Sequence, residues 1–538
     1  MAIQVDINVH ASQTIELWRQ IYRFFGADEI NYVYMKDGKK LLAKLGALGD
    51  DQVFFRVHGQ FVTGEGIHAL KWGSTDIYTE TDKGEPIYNW TIIDKVFDTY
   101  MENNVKPYVQ FGFMPEAMST KPQPYQHKWT ATAPYHEIFT GWAYPPKDYR
   151  KWGELVYEWT KHCIERYGKV ECESWYWETW NEPDIGYWQG TPEEFYMLYD
   201  YATEGVRRAL PTARVGGPET TGRSPEYLKG FLEHCISGEN KATKSTGSDL
   251  DFLSFHAKGS PVYMDKTQSV RMDISHQLRQ INDSMEVIAS FPQFKDKPIV
   301  LGESDPEGAA AAQGPQLAYR NGTLYSSYTA ASFARKHELS RKHGVNLEGA
   351  LTWAFEFEDQ PYFAGFRVLA SNNVDLPVLN VFRMFAKMQG DLLSSTSSHQ
   401  IPLEHILKDS VRTDPDIGAI ATRDEATVAV MVWHYHDDDL AGDHASVKLR
   451  LENLECENPA DAVTHYRIDG THSNAYTKWR DIGSPQKPTA EQLREMEDAG
   501  NLAEYGGKTS VEQGRKDVVV SFDLPRQGVS LLVVKAKG

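Results

Sequence analysis

The chain has 538 residues, of which 41 % are hydrophobic and 24 % charged, so it is not a disordered chain, and no apolar run approaches the roughly 18 residues of a membrane span. Lys and Arg number 56 against 75 Asp and Glu, a net charge of −19. With no basic stripe to offset it, that charge repels phosphate backbones and makes nucleic acid a poor partner.

The opening Met1-Ala2-Ile3-Gln4-Val5-Asp6 has neither a basic nor an apolar leader region. That fits a cytoplasmic protein, or one whose signal peptide has been removed. Residues 3–7 alternate, and residues 1–14 are expected to pair with a sheet formed later in the chain. Short apolar runs then recur near 22–25 and at 53–57, 107–111, 174–177, 213–216, 252–255, 298–301 and 350–353. Runs apolar on both faces read as buried parallel strands. The segments between them, such as 90–101, 150–167 and 193–210, have helical spacing. Eight such alternations predict an α/β fold, a (β/α)8 TIM barrel over 15–390.

Near Asp391 the period changes. Runs at 418–421, 426–433, 445–451, 462–466, 517–522 and 529–534 alternate every second residue and are separated by Asp, Gly, Asn and Pro. They predict a C-terminal antiparallel β-sandwich over 391–538, with a helical insert at 489–498. The expected role of this domain is to support the barrel. The four cysteines, Cys163, Cys172, Cys235 and Cys456, form no CxxC pair, so buried thiols are expected and no metal site.

In a barrel the chemistry sits just past the C-terminal ends of the strands. Read there, the exits carry His58, then Gly112-Phe113-Met114-Pro115, then Asn181-Glu182-Pro183-Asp184, His256, Glu303 with Asp305, and Trp353 followed by Glu356 and Glu358. Acids interleaved with aromatics, without a phosphate-binding glycine motif, suggest glycoside hydrolysis. That reaction needs one carboxyl group protonated and one ionised. Glu182 and Glu303, single glutamates after the fourth and seventh strands, are the natural pair, with Asp305 the rival nucleophile. The tripeptide Asn-Glu-Pro alone is weak, since composition alone produces it in about one chain in fifteen of this length. His58 and His256 are candidate sugar contacts, and Phe113 and Trp353 candidate apolar walls. Only one of Glu356 and Glu358 is expected to face the pocket. Trp72, Trp142 and Trp188 are candidates to shape its mouth.

Trp180-Asn181-Glu182-Pro183 followed by Gly302-Glu303 resembles the clan of retaining barrel glycosidases with catalytic glutamates on strands four and seven. Within that clan, Arg56-Val57-His58-Gly59, Gly112-Phe113-Met114-Pro115, Phe252-Leu253-Ser254-Phe255-His256 and the acidic run from 353 to 359 resemble glycoside hydrolase family 39. Residues 319–325 and 356–362 look most like its bacterial β-xylosidase branch. The resemblance implies Glu182 as acid/base and Glu303 as nucleophile. It implies His58, Asn181, His256 and a strand-eight glutamate, Glu358 before Glu356, as sugar contacts. It also implies a retaining exo-glycosidase that releases β-linked xylose without metal or organic cofactor. Members often carry tyrosine where this chain has Lys258, which raises the alternative of an acidic sugar such as iduronate. An arabinosidase and a non-catalytic sugar-binding protein are the other readings.

Overall fold

The computed structural model describes residues 2–68, 73–127, 138–139, 141–309, 311–456, 459–514 and 516–536. The apolar runs form the parallel strands β2 (Phe24–Ala27), β3 (Val53–Val57), β4 (Val105–Phe111), β5 (Tyr176–Thr179), β6 (Arg214–Thr220), β7 (Phe252–Lys258), β8 (Pro298–Asp305), β9 (Asn346–Ala350) and β10 (Thr352–Trp353). The last two are one strand interrupted at Leu351. β9 pairs with β8 and β10 pairs with β2, which closes an eight-stranded barrel.

The helices between the strands bury one face against it. They are α1 (Lys36–Gly46), α2 (Thr91–Glu102), α3 (Tyr149–Tyr167), α4 (Pro192–Ala209), α5 (Pro225–Ser237), α6 (Ile274–Ala289), α7 (Thr323–His343) and α8 (Pro377–Ala386). The start of α4 is set locally: Thr191 and Glu194 form a reciprocal capping box, with Pro192 at the first turn.

The barrel interior is stacked in layers. Phe24, Phe54, Tyr108, Tyr176, Phe252 and Val300 pack together as an aromatic plug. Two residues further along β3, β4, β5 and β7 come Arg56, Gln110, Glu178 and Ser254, and past them on β3 and β7 come His58 and His256. Period-2 alternation thus carries each strand from an apolar floor to a polar rim.

Two bulges break that period at the rim. One extra residue in β6 shifts its register with β7 beyond Pro218, and one extra residue in β8 shifts its register with β7 beyond Leu301. Gly302 is where β8 must be glycine. A Cβ there would stand 1.4 Å from Glu219 Oε1.

The C-terminal part is a ten-stranded sheet folded over its own core. To the N-terminal β1 (Ile3–Leu17) it adds β11 (Asp391–Ser397), β12 (Asp416–Arg423), β13 (Thr427–Tyr435), β14 (Ala445–Glu452), β15 (Val463–Ile468), β16 (Ala503–Glu504), β17 (Ser510–Gln513), β18 (Asp517–Leu524) and β19 (Val529–Lys535). Val5, Ile7 and Val9 of β1 pack with Val430, Leu449, Val520 and Leu532. The sheet is mixed rather than wholly antiparallel, because β1 runs parallel to β14 while pairing antiparallel with β11. Helix α9 (Ala490–Gly500) is the insert, capped by Thr489 and Gln492. The four cysteines are buried and free, and among the described residues no helix is long and apolar enough to cross a membrane.

Helix α7 is buried on most of its surface because it lies between barrel and sandwich. Arg335 on it reaches Asp416 of β12 at 2.9 Å, both 1 % exposed. Asp416 also accepts from Ile401 N and Trp433 Nε1. Asp416→Ala would leave a buried guanidinium and two N–H groups without that acceptor. The expected loss is about 3–5 kcal/mol, read as a lower denaturant midpoint. A midpoint unchanged within error would show that the interface does not depend on this pair.

Candidate functional site

The strand exits meet around a cavity of about 220 Å3, lined among others by Asp28, His58, Asn181, Glu182, Lys258, His256, Glu303, Trp353 and Arg367. Pockets for drug-sized ligands run to roughly 300–1,000 Å3, so this one has the scale of a single sugar ring. A larger groove of about 490 Å3 lies outside the barrel beside α4. Its arginines are already paired, Arg207 with Asp249 and Asp251 and Arg208 with Glu154 and Glu204. We place the chemistry in the smaller cavity because the unusual ionisable groups converge there.

His256 joins the two expected catalytic glutamates. Its Nδ1 lies 2.8 Å from Glu182 Oε1 and 3.8 Å from Glu303 Oε1, and its Nε2 lies 3.0 Å from Glu219 Oε1. Burial opposes a charge on this ring. The carboxylates of Glu303, Glu219 and Glu182 outweigh burial and push the imidazole up to about 10. The ring is therefore cationic at neutral pH, and both nitrogens donate.

Glu303 is set the opposite way. Burial alone would raise it, but His256 and Lys258, followed by His58, hold it well below the usual carboxylate range. Lys258 Nζ is 2.7 Å from Glu303 Oε2 and 2.5 Å from Asp305 Oδ2. Arg56 Nη1 stands 3.6 Å from Glu303 Oε1. Glu303 is thus fixed as an anion at every pH near neutral.

Beneath the cavity, Arg56 is fully buried. It bonds Glu178 at 2.6 Å and Asn181 Oδ1 at 3.1 Å, and stands 3.3 Å from Glu219. Burial pushes Glu178 up to about 8 even against Arg56. Gln110 accepts from His58 Nδ1 at 2.9 Å, and its own amide donates to Trp180 O. That orientation fixes which nitrogen of His58 faces Glu303, 3.3 Å away. Trp180, Glu182 and Glu219 all hold positive φ, at 73°, 45° and 57°. Side-chain-bearing residues adopt this conformation at a cost, and such strain collects at functional sites.

Of the residues read from sequence, His58, Asn181, Glu182, His256, Glu303 and Trp353 come together on the cavity wall. Three do not. Phe113 is 1 % exposed and lies behind the wall, its ring against His58, Trp180 and Tyr187. Glu358 caps α1, accepting from Asp37 N and Gly38 N. Glu356 accepts from Asn373 N, and burial raises it to about 8. The expectation that one of these glutamates faces the pocket fails physically. Positions two apart share a face of a strand, and with Leu351 and Trp353 inside the barrel both glutamates fall on the opposite parity. Asp305 accepts from Trp353 N and pairs with Lys258 and Arg367, and it does not line the cavity. Trp142 and Trp188 are buried and donate to Pro122 O and Thr191 O. Trp72 lies outside the described residues.

Sequence reasoning missed Asp28, Glu219 and Arg367. Asp28 had a signal, since Phe24, Gly26 and Asp28 step inward two at a time. Glu219 had none, because a bulge presents it. Arg367 had none either: it enters from a loop after β10, its Nε donating to Trp353 O and its guanidinium 2.9 Å from Glu307. Among the described residues no cluster of His, Cys, Asp and Glu has the arrangement to hold a metal ion.

The model for "Glycosyl hydrolases family 39" matches residues 54–517. A β-xylosidase of Geobacillus stearothermophilus is 24 % identical over 449 residues, 80 % of this chain and 79 % of the relative. The α-L-iduronidase of Homo sapiens is 27 % identical over 473 residues, 83 % of this chain and 66 % of the relative. A crystal structure of a family 39 enzyme from Xanthomonas axonopodis pv. citri superposes with a TM-score of 0.74 at 19 % identity, covering 100 % of this chain and 98 % of that one. At that identity the superposition speaks to fold alone.

Proposed function

The chain belongs to glycosyl hydrolase family 39 and is a glycoside hydrolase acting on a carbohydrate, and from that premise we propose an exo-acting, retaining enzyme that removes a terminal uronic acid. In this reading Glu303 attacks the anomeric carbon as Glu182 protonates the departing oxygen. His256 donates Nδ1–H to Glu182 Oε1, which leaves Oε2 to carry that proton. A water, deprotonated by Glu182, then opens the glycosyl-enzyme ester with overall retention. Asn181, whose Oδ1 is occupied by Arg56, keeps its amide donors for a ring hydroxyl. Trp353, with Nε1 tied to Asp28 at 3.1 Å, presents an apolar wall to the ring.

The observation that carries the uronate is the pair of cations on the wall beside Glu303. Lys258 and Arg367 both line the cavity, and both are buried against the same acid, Asp305. Lys258 keeps one N–H after serving Glu303 and Asp305. A carboxylate at C5 would meet both cations, whereas xylose carries nothing there. A terminal xylose is the second reading, favoured by the β-xylosidase relative aligned over most of both chains.

A panel of nitrophenyl uronides, xylosides and arabinosides separates these readings. Preference for the uronide supports the first, and preference for the xyloside by tenfold or more overturns it. Proton NMR of the first-formed sugar tests retention independently. Retention requires carboxyl groups about 5–5.5 Å apart, and an inverted product would mean a gap wide enough for water, about 6.5–9.5 Å.

A further inference from the structure

The cavity has two unlike sides. Asp28, His58, Glu303, Trp353 and Arg367 are buried and Lys258 is mostly so; Asp28 holds His58 and Trp353, Lys258 holds Glu303, and Asp305 behind the wall joins Lys258 to Arg367. The other side is the rim: Glu182, Ile185 and Tyr187 in the loop after β5, and Thr221, Gly222 and Arg223 in the loop after β6. Glu182 hands its proton to the departing oxygen, so the leaving group has to lie against this second side.

The rim is rigid in its backbone. Asp184 accepts from Thr221 N at 2.8 Å and from Thr221 Oγ1 at 2.5 Å, joining the two loops. Glu182 N donates to Glu219 O. Gly222 is pressed against β7 and α6, where a Cβ would come within 2.5 Å of His256 O and 2.7 Å of Gln280. On this frame Ile185 is 43 % exposed, one of the large apolar side chains open to solvent among the described residues. Arg223 is exposed as well, and among the described residues no acceptor pairs with its guanidinium. An unpaired arginine at the mouth of a site, in a chain of net charge −19, is a local attractor in a field that otherwise repels anions.

We propose that Ile185 and Arg223 form the subsite for the leaving group and select one with an apolar face and an anionic substituent, a carboxylate or a sulfate. This rests on Glu182 being the acid/base. Arg223 is assigned to specificity, not to bond cleavage: its planar fork suits either oxyanion.

The test uses two aryl glycosides of the glycone that the panel selects, matched in leaving-group acidity, one neutral and one bearing a ring carboxylate. A third with a ring sulfonate, standing for sulfate, separates the two anions. Wild type is expected to favour the anionic members by roughly tenfold in kcat/KM, an exposed charge-assisted contact being weaker than a buried one. The preference should shrink between low and moderate salt. Arg223→Met, which keeps the apolar stem, should erase it while leaving the neutral glycoside within about twofold, and Arg223→Lys should keep part of it. Equal rates on all members in wild type, or a preference unchanged in Arg223→Met, overturns the proposal. An equal loss on neutral and anionic members would place Arg223 on the glycone and overturn it too. Turnover of no glycoside by wild type would instead sink the glycosidase reading, and this subsite with it.

Discussion

Glu303→Ala is expected to abolish turnover of every glycoside, by on the order of 10⁵-fold, because no covalent intermediate can form. The carboxylate is held ionised by His256 and Lys258 against its own burial, and among the carboxylates on the cavity wall it is the one those two cations serve together. Glu182→Ala should behave differently. Nitrophenyl glycosides need little help from an acid, so their first step should survive while kcat falls at deglycosylation, by about 10²–10⁴-fold. Added azide should fill the space of the missing carboxylate, attack the glycosyl-enzyme without needing a base, and restore turnover as a glycosyl azide. Equal losses in both variants with no azide product would contradict these two roles.

Lys258→Ala is expected to sort the substrates. On a uronide it removes a partner of a carboxylate shielded from water, and the expected loss in kcat/KM is about 2–5 kcal/mol, tens- to thousands-fold. On a xyloside an exposed ion pair at this position would be worth only about 0–1 kcal/mol, but Lys258 is mostly buried and 2.7 Å from Glu303. Removing its charge raises the Glu303 carboxyl, which must be ionised to attack. The acid limb of the kcat/KM profile should therefore move to higher pH on every substrate, the activity at low pH being lost first. The measurement is kcat/KM against pH for wild type and variant on uronide and xyloside. An uronide-specific loss on top of the shared pH shift supports the uronate reading. A loss equal on both sugars removes its main support, and an unmoved acid limb would show that Lys258 does not set the charge of Glu303.

The sequence by itself determined the two architectures, because hydrophobic period is a local property. Runs apolar on both faces with helices between them allow few folds besides a closed parallel barrel, and alternation after Asp391 allows a sheet with one buried face. It also determined which residues reach the rim of a regular strand: Arg56 and His58 follow from Phe54 by counting in twos. Tertiary structure alone decided three things. From Val300 a strict alternation turns Glu303 outward, and only the extra residue at Gly302, where β8 pairs out of step with β7, turns it toward His256. A second bulge presents Glu219 in the same way. The same count in twos from Leu351 and Trp353 already turns the acids after β10 from the pocket, but only the folded chain decided their partners, the end of α1 for Glu358 and Asn373 for Glu356. Last, Lys258 and Arg367, 109 positions apart, meet at one aspartate. Pairwise electrostatics depends on distance in space, and a period along the chain carries no information about it.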